Sequence, residues 1–165
     1  MITVKFNADT AQAKIRDAMT SLSDMTPVFA EIGEYLVRAT KQRFQQGVDP
    51  EGKAWAPKSP ATMERYRRMG YGNRTKPLIG PSGMLSTQVL TFPTRDGVTI
   101  GSNMKYAAVM QFGAAKGAFG NDASGRAIPW GRIPARAWLG ISQDDEAAII
   151  DIVDEHLAAA LDAGT

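Results

Sequence analysis

At 165 residues and 44% apolar composition, the chain is long enough to bury the core of one domain of common size. It contains no cysteine, which excludes disulfides, thiolate metal sites and a cysteine nucleophile. Its apolar clusters fall far short of the roughly 20 residues that span a bilayer, and the N-terminus has no apolar signal segment, so we expect a soluble protein without a membrane partner.

The net charge of +2 hides a separation of the two signs along the chain. Residues 53–76 hold seven Lys or Arg and one Glu, whereas residues 142–165 hold seven Asp or Glu and neither Lys nor Arg. This separation suits a polyanionic partner for the basic part, or a neighbouring copy of the chain whose acidic part faces it.

The first third of the chain predicts one strand and two helices. The alternation in ITVKFN predicts a half-buried strand over residues 2–7, and apolar residues at helical spacing follow between 11 and 22. A longer apolar stripe predicts a helix at about 27–46. Thr26 is suited to cap its free amide groups, and the proline after it fits the first helical position. We expect the helix to end at Gly47.

A long loop is predicted next, at about residues 48–84. Pro50 and Gly52 are typical of a tight turn. The run 58–84 is polar, basic and glycine-rich, with at most a short helix at 61–69. A stretch of this length with little regular structure is usually functional or disordered.

The segments MLSTQVLTFPT (84–94) and GVTIGS (97–102) predict a β-hairpin, with Gly97 supplying the turn. Residues 106–113 fit either a short helix or a third strand. A second flexible, glycine-rich loop is predicted at about 113–132.

The closing helix is predicted to begin at Ser142, whose hydroxyl and the Asp145 carboxylate have the spacing of a capping box. Its predicted buried stripe consists of Ile149, Ile152, Val153, Leu157 and Leu161. The order of elements favours an α+β fold in a single domain over residues 1–165, in which a small antiparallel or mixed sheet is packed by the long helix and the C-terminal helix.

Catalytic and metal-binding patterns are absent from the sequence. His156 lies among acids without a second His or Cys, which predicts a histidine at the surface or boundary of a helix. The segment GNDASGRA at 120–127 lacks the Lys and Ser/Thr of a phosphate loop. Asp144 and Asp145 are interpreted as solvated capping charges. We therefore expect neither enzymatic activity nor a cofactor.

The basic segment leaves a second function open. Arg65, Arg67 and Arg68 alternate with Tyr66 and lie near Tyr71, a mixture of cations and aromatic rings found on nucleic-acid-binding surfaces and also on solvated loops. The alternative function is therefore a stand-alone nucleic-acid-binding protein that uses residues 58–76.

Four segments, in order, carry a resemblance to a known family. They are RFQQGVDPEGKAWAPKSPAT, LIGPSGML, VTIGSNMKYAAVMQFG and IPARAWLGIS. Together they resemble the phage virion morphogenesis family, or tail completion proteins, of Mu-like tailed bacteriophages. The resemblance implies a structural protein of the virion neck or tail end, assembled in the host cytoplasm as a ring, with a hexamer as the expected form. The implied partners are head-connector and tail-tube proteins and DNA passing transiently through the lumen.

Within such a ring, several residues are candidates for defined roles. Trp55, Trp138 and Leu139 are expected to anchor loops against the core. Arg136 either points outward to a carboxylate on a neighbour or holds a loop of its own subunit, and the sequence leaves both open. The hypothetical subunit interface comprises Arg65, Arg67, Arg68, Arg136, Asp151, Asp154 and Glu155. The hypothetical DNA contacts in the lumen are Lys58, Arg74 and Lys76.

Overall fold

The order of helices and strands follows the α+β prediction, as described for residues 9–162 by a computed structural model. The helices are α1 (Asp9–Ser21), α2 (Thr26–Gln46), α3 (Pro60–Arg68), α4 (Met84–Thr87), α5 (Ala107–Phe112) and α6 (Gln143–Asp162). The strands are β1 (Leu90–Pro93) and β2 (Val98–Gly101). The strand predicted at residues 2–7 lies outside the described residues.

The long helix α2 forms where its apolar stripe predicts it. Val28, Ile32, Leu36 and Phe44 are buried on one side. The helix ends at Gly47, which adopts a left-handed φ of 79° and donates its N–H to the carbonyl of residue 43 at 2.7 Å. This confirms the predicted end of the helix.

The capping role predicted for Thr26 is wrong. Thr26 is itself the first helical residue, and its backbone N–H donates to Oδ1 of Asp24 at 3.0 Å. Because the aspartate lies two residues earlier, its carboxylate satisfies the free N–H of Thr26 at the start of the helix.

The hairpin is confirmed, but it is shorter than predicted. β1 and β2 are antiparallel, with Leu90 opposite Gly101. The predicted first strand fails at residues 84–87, which form α4. The turn does not need a glycine, because Gly97 does not have a positive φ. The turn is closed by the N–H of Thr94, which donates to the carbonyl of residue 97 at 2.8 Å.

Two further segments gain structure that the sequence left weak or undecided. Residues 107–112 form helix α5, so the helical alternative is correct. α3 is a nine-residue helix capped by Ser59, whose hydroxyl accepts the N–H of Thr62 at 3.2 Å.

α2 crosses the hairpin at Gly33, where a Cβ would fall on the side chain of Thr91. The core lies at both ends of this crossing. Near the C-terminal end of α2, Phe44 packs with residues of the later loops; near its N-terminal end, Val28 and Ile32 pack with the inner side of α6.

α6 runs along α2 in the opposite direction. Its first turn meets the C-terminal part of α2, and farther along Nε2 of His156 lies 2.8 Å from Oε2 of Glu31. The capping box is confirmed: the Asp145 N–H donates to Oγ of Ser142 at 3.1 Å, and the Ser142 N–H donates to Oδ2 of Asp145 at 2.7 Å.

The predicted buried stripe of α6 is wrong in part. The inward positions are Asp145, Ile149, Ile152, His156 and Ala160. Val153, Leu157 and Leu161 are exposed, together with Ile150. One residue along a helix is a rotation of about 100°, so the apolar residues form two adjacent stripes, of which α2 covers one.

Candidate functional site

The four sequence segments that suggest the family converge on Trp138. The indole of Trp138 is 3% exposed, and its Nε1 donates to the carbonyl of Ala107 at 3.1 Å. Its ring lies 5.9 Å from that of Phe44, which in turn contacts the ring of Trp55 edge-on at 5.3 Å. Nε1 of Trp55 donates to the carbonyl of Ala137 at 2.8 Å. The expected anchors, with Leu139 packed beside them, are therefore part of the core.

Gln111 fixes the segment that carries Trp138. Its Oε1 accepts the N–H groups of Trp138 and Leu139 at 2.9 and 3.0 Å, and its Nε2 donates to the Leu139 carbonyl at 2.9 Å. The Gln111 side chain thereby satisfies backbone N–H and C=O groups of residues 138 and 139, which lie in an extended segment outside the named strands. Gln111 lies in the segment VTIGSNMKYAAVMQFG, but the sequence did not predict its role, because its partners are 27 and 28 residues away.

Gly113 follows with a conformation that only glycine adopts readily. Its φ is 75° and its ψ is −179°, and a Cβ here would lie 2.7 Å from both the Ala135 nitrogen and the Ile133 oxygen. The close approach of these two backbones brings α5 against the segment before α6.

The outward orientation considered for Arg136 is wrong. Arg136 is buried, and its Nε and one terminal nitrogen donate to the carbonyls of Ala56 and Pro57 at 2.7 and 2.9 Å. It therefore holds a loop of its own subunit, which was the second alternative. The planar guanidinium matches two successive carbonyls, which explains why arginine suits this position. Burial lowers the pKa of Arg136.

A buried ion pair that the sequence did not predict joins α2 to α6. Arg43 contacts the carboxylate of Asp145 and donates to the carbonyl of Gly140 at 2.9 Å. The Tyr35 hydroxyl donates to the other carboxylate oxygen at 3.3 Å. Asp145 is 2% exposed, so its interpretation as a solvated charge is wrong. The capping-box spacing marked Asp145, but nothing in the sequence paired it with Arg43.

The pKa values in this cluster follow from competing effects. Burial by itself raises the pKa of Asp145, but hydrogen bonds with Ser142 and the contact with Arg43 outweigh it and bring the pKa below the ordinary value. Burial is the main cause of the raised pKa of Tyr35, and the negative charge of Asp145 raises it further. The carboxylate is therefore kept ionised inside the protein.

α3 displays most of the basic candidates on the surface. Arg65, Arg67 and Arg68 are exposed, and the last two pair with Glu64 of the same helix at 3.2 and 3.3 Å. Such exposed pairs stabilise little and leave the cations accessible. The structure brings these arginines together on α3, whereas the acidic candidates lie on a different helix, α6.

Two of the three candidate DNA contacts bind their own chain. Nζ of Lys58 donates to the carbonyls of Arg74 and Ile79, the latter at 2.7 Å, and lies 4.9 Å from the ring centre of Tyr66. Burial is the main cause of the lowered pKa of Lys58, and the positive charges of Arg136 and Arg74 lower it further. Nζ of Lys76 donates to the carbonyl of Gln45 at 2.7 Å. Arg74 has an exposed side chain.

The acidic candidates lie on the outer side of α6. Asp151, Asp154 and Glu155 are exposed and flank the apolar stripe formed by Ile150, Val153, Leu157 and Leu161. These four side chains are 59%, 36%, 41% and 48% exposed. We call this stripe with its three acids the α6 outer face.

The second predicted loop, 113–132, is a hydrogen-bonded hairpin, which we call the arm. Its base is the antiparallel bridge between Ala114 and Ile133, and farther out the Phe119 N–H donates to the Ile128 carbonyl at 2.8 Å. At the tip, the Asp122 carboxylate accepts the N–H of Arg126 at 2.9 Å and its Nε–H at 3.0 Å. These hydrogen bonds lower the pKa of Asp122, and the one from the backbone N–H of Arg126 has the largest effect. The flexibility expected of this segment stays a prediction.

Within residues 9–162, no group of three His, Cys, Asp or Glu side chains is arranged to hold a metal ion. In the same range, no helix is long and apolar enough to cross a membrane. His156 lies at the boundary of α6 as expected, with Glu31 as its neighbour.

Comparison with known proteins gives the same family as the four segments. A model of the phage virion morphogenesis family matches residues 7–158. The chain is also similar to the "Putative capsid assembly protein G" of Escherichia phage Mu, with 30% identity over 127 residues that cover 76% of this chain and 75% of that protein. No solved structure matches the chain. Because the family model spans the core around Trp138, the arm and nearly all of α6, the chain belongs to the phage virion morphogenesis family and serves in the assembly of the phage particle.

Proposed function

We propose that the protein is a non-enzymatic ring component at the head–tail junction of a tailed phage, acting in tail completion, as a terminator or in the neck. The observation that carries this proposal is that the subunit displays two unlike surfaces, a basic one on α3 and an acidic, partly apolar one on the outer side of α6. Membership of the family and the name of the Mu relative as a capsid assembly protein support it.

The exposed area of the subunit is larger than that of a compact monomer of the same mass. A compact folded protein of 17.8 kDa has an accessible surface of about 8,000 Å², whereas this chain exposes 11322 Å². Even an upper bound of about 1,600 Å² for residues 1–8 and 163–165 leaves roughly half of the excess on the described part. Large exposed apolar side chains contribute to it, as expected of an interaction surface.

The arm and the C-terminal part of α6 lie towards different ends of α2. The core around Phe44, whose flanking segments lead into α3 and the arm, lies at the C-terminal end of this helix, whereas His156 of α6 lies beside Glu31. At 1.5 Å per residue, the distance from Glu31 to Phe44 along the helix is about 20 Å. We call these the Phe44 end and the Glu31 end of the subunit; the acidic first turn of α6 also lies at the Phe44 end, where Asp145 contacts Arg43.

Two different surfaces on one subunit favour head-to-tail contacts between copies. Such contacts close into a ring when the rotation allows and need no self-complementary patch. In the proposed hexameric ring, Arg65, Arg67 and Arg68 of one subunit approach Asp151, Asp154 and Glu155 of the next. Adjacent head-connector and tail-tube proteins are the proposed partners above and below the ring.

The proposed lumen allows DNA to pass with weak phosphate contacts. Arg74 is exposed, whereas Lys58 and Lys76 already donate to backbone carbonyls of their own chain. Loosely held DNA suits a channel through which it must slide, because each neutralised phosphate strengthens binding. Nucleic-acid binding through residues 58–76 stays the alternative, since Arg65, Arg67 and Arg68 are exposed.

The test is electron microscopy of particles made without this protein. We expect full heads beside finished but unattached tails, with joined particles restored when the gene is supplied in trans. Normal joined particles in its absence would contradict the proposal. Strong DNA binding by a monomer, falling steeply with salt, would favour the nucleic-acid-binding alternative.

A further inference from the structure

We infer that the arm of one subunit docks on the α6 outer face of a second copy of this chain. The inference rests on the proposed ring and names its main contact. α1 of the same subunit also contacts α6, yet the four apolar side chains of the α6 outer face stay at least 36% exposed. The arm and the α6 outer face are therefore both apolar surfaces that their own subunit leaves partly exposed, and they carry opposite charge.

The arm presents aromatic rings to solvent. Phe119 and Trp130 are 55% and 69% exposed, and Phe112 at its base is 78% exposed. Aromatic side chains of this size bury 150–250 Å² each, so the three rings offer about 500 Å² to a partner. A standard interface buries roughly 800 Å² per partner, so the three rings supply more than half of one side.

The arm is built to hold these rings in place before it binds. Hydrogen bonds join its two sides, including the Gly117 N–H to the Pro129 carbonyl at 3.0 Å and the Ile128 N–H to the Gly120 carbonyl at 2.7 Å. The guanidinium of Arg126 lies 5.6 Å from the ring centre of Trp130. A preorganised element loses less conformational entropy on binding than a loop that must first fold.

Charge complementarity selects the occupant of the α6 outer face. The arm carries Lys116, Arg126 and Arg132 against Asp122, whereas the α6 outer face carries Asp151, Asp154 and Glu155 and no basic residue. Apolar residues run beside the charges on both surfaces, so docking would pair rings with aliphatic side chains and cations with carboxylates.

The contact is assigned to two copies rather than to one chain. The arm extends from the Ala114–Ile133 bridge, next to the Trp138 core at the Phe44 end, whereas Leu157 and Leu161 lie beyond His156 at the Glu31 end. Since each subunit carries one arm and one α6 outer face, every copy in the ring both donates an arm and receives one.

The test uses a photo-crosslinker, benzoylphenylalanine, in place of Phe119. Phe92 on β1 is the matched control site, because it is also 55% exposed. Each variant is irradiated as purified protein at high concentration and in particles from cells that supply only that variant. Covalent dimers isolated on denaturing gels contain only links between chains. Residues 137–165 contain neither Lys nor Arg, so cleavage after Glu146 and Glu155 is used to locate the link.

We expect dimers from position 119 whose link maps to residues 147–161, and no link to that range from position 92. Adding Val153→Asp and Leu157→Asp should reduce the position-119 dimer by about tenfold or more, whereas Ile141→Asp should leave it unchanged. Circular dichroism and melting curves identify any variant that is misfolded, and such a variant is replaced by Leu157→Ser.

Three outcomes would overturn the inference: links only within one chain, links between two arms, or links from the arm to residues 1–8 of the neighbour. Absence of dimers in both preparations would also overturn it. Each outcome is independent of particle morphology. Unattached heads and tails in the deletion, together with links elsewhere, would retain the proposed function and reject this contact.

Discussion

Arg43 and Asp145, 102 residues apart in sequence, form a buried ion pair that joins the C-terminal part of α2 to the first turn of α6. The pair fixes where α6 begins along α2, and so determines how far the α6 outer face lies from the Phe44 end. Its hydrogen bonds to the Tyr35 hydroxyl and the Gly140 carbonyl supply the partners that buried charges require.

Removing one partner of this pair should destabilise the fold strongly. Asp145→Ala leaves the Arg43 guanidinium buried without its counter-charge and also removes the cap of α6, so we expect a loss of about 3 to 5 kcal/mol. Asp144→Ala, on the exposed side of the same turn, is the control and should cost less than about 1 kcal/mol. Urea denaturation measures both. Equal midpoints for the two variants would contradict the prediction.

Stability should fall in acid partly through Asp145. Its pKa is lowered in the folded protein, so the unfolded state binds more protons in the acid range. The stabilisation is therefore complete above the unfolded pKa, about 4, and is lost as the pH falls through the lower folded pKa. We expect the stability difference between the parent and Asp145→Asn to shrink from about pH 4 downward. A difference that stayed constant from pH 6 to pH 2.5, in melting curves on both proteins, would exclude this role.

Trp55→Ala and Trp138→Ala should damage folding rather than assembly alone. Both indoles are buried against Phe44 and donate a hydrogen bond to a backbone carbonyl, so truncation should cost roughly 3 to 5 kcal/mol. Trp130→Ala is the control, because this tryptophan is exposed, and it should melt like the parent. If the two buried variants melted normally but did not assemble, their proposed structural role would be wrong.

Gly113→Ala should be among the most harmful glycine substitutions. The new Cβ would meet two backbone atoms at 2.7 Å in addition to the strain of the positive φ, and we expect a loss of more than about 3 kcal/mol. Gly125→Ala, with a φ of 74° and nothing within 4 Å of its Cβ, isolates the backbone strain and should cost about 1 to 2 kcal/mol. Thermal melts of both variants test whether the contact with Ile133 and Ala135 matters.

The charge-reversed variant Arg65→Glu, Arg67→Glu, Arg68→Glu should impair particle assembly while the subunit still folds, because these side chains are exposed. Each exposed pair is worth about 0 to 1 kcal/mol, so one reversal should do little and three should act together. Adding Asp151→Lys, Asp154→Lys and Glu155→Lys should restore assembly if the surfaces face each other. Normal assembly by the folded triple variant would refute the contact.

The sequence by itself determined the elements whose signals are local. The apolar stripe and Gly47 placed α2, and the spacing of Ser142 and Asp145 placed the start of α6, because helix periodicity and capping depend on residues within a few positions of one another. The anchoring role of Trp55 and Trp138 also followed, since large aromatic side chains beside core elements are usually buried.

Only the tertiary structure decided the partners of charged residues and the sides of α6. Arg136 meets carbonyls 80 and 79 residues away, and Arg43 meets Asp145 across the fold, distances over which sequence spacing carries no information. Val153 and Leu157 are as apolar as residues of the buried stripe, yet they are exposed because α2 covers the adjacent stripe. Burial depends on which surface another element occupies, and that is fixed by packing between distant segments rather than by the pattern within one helix.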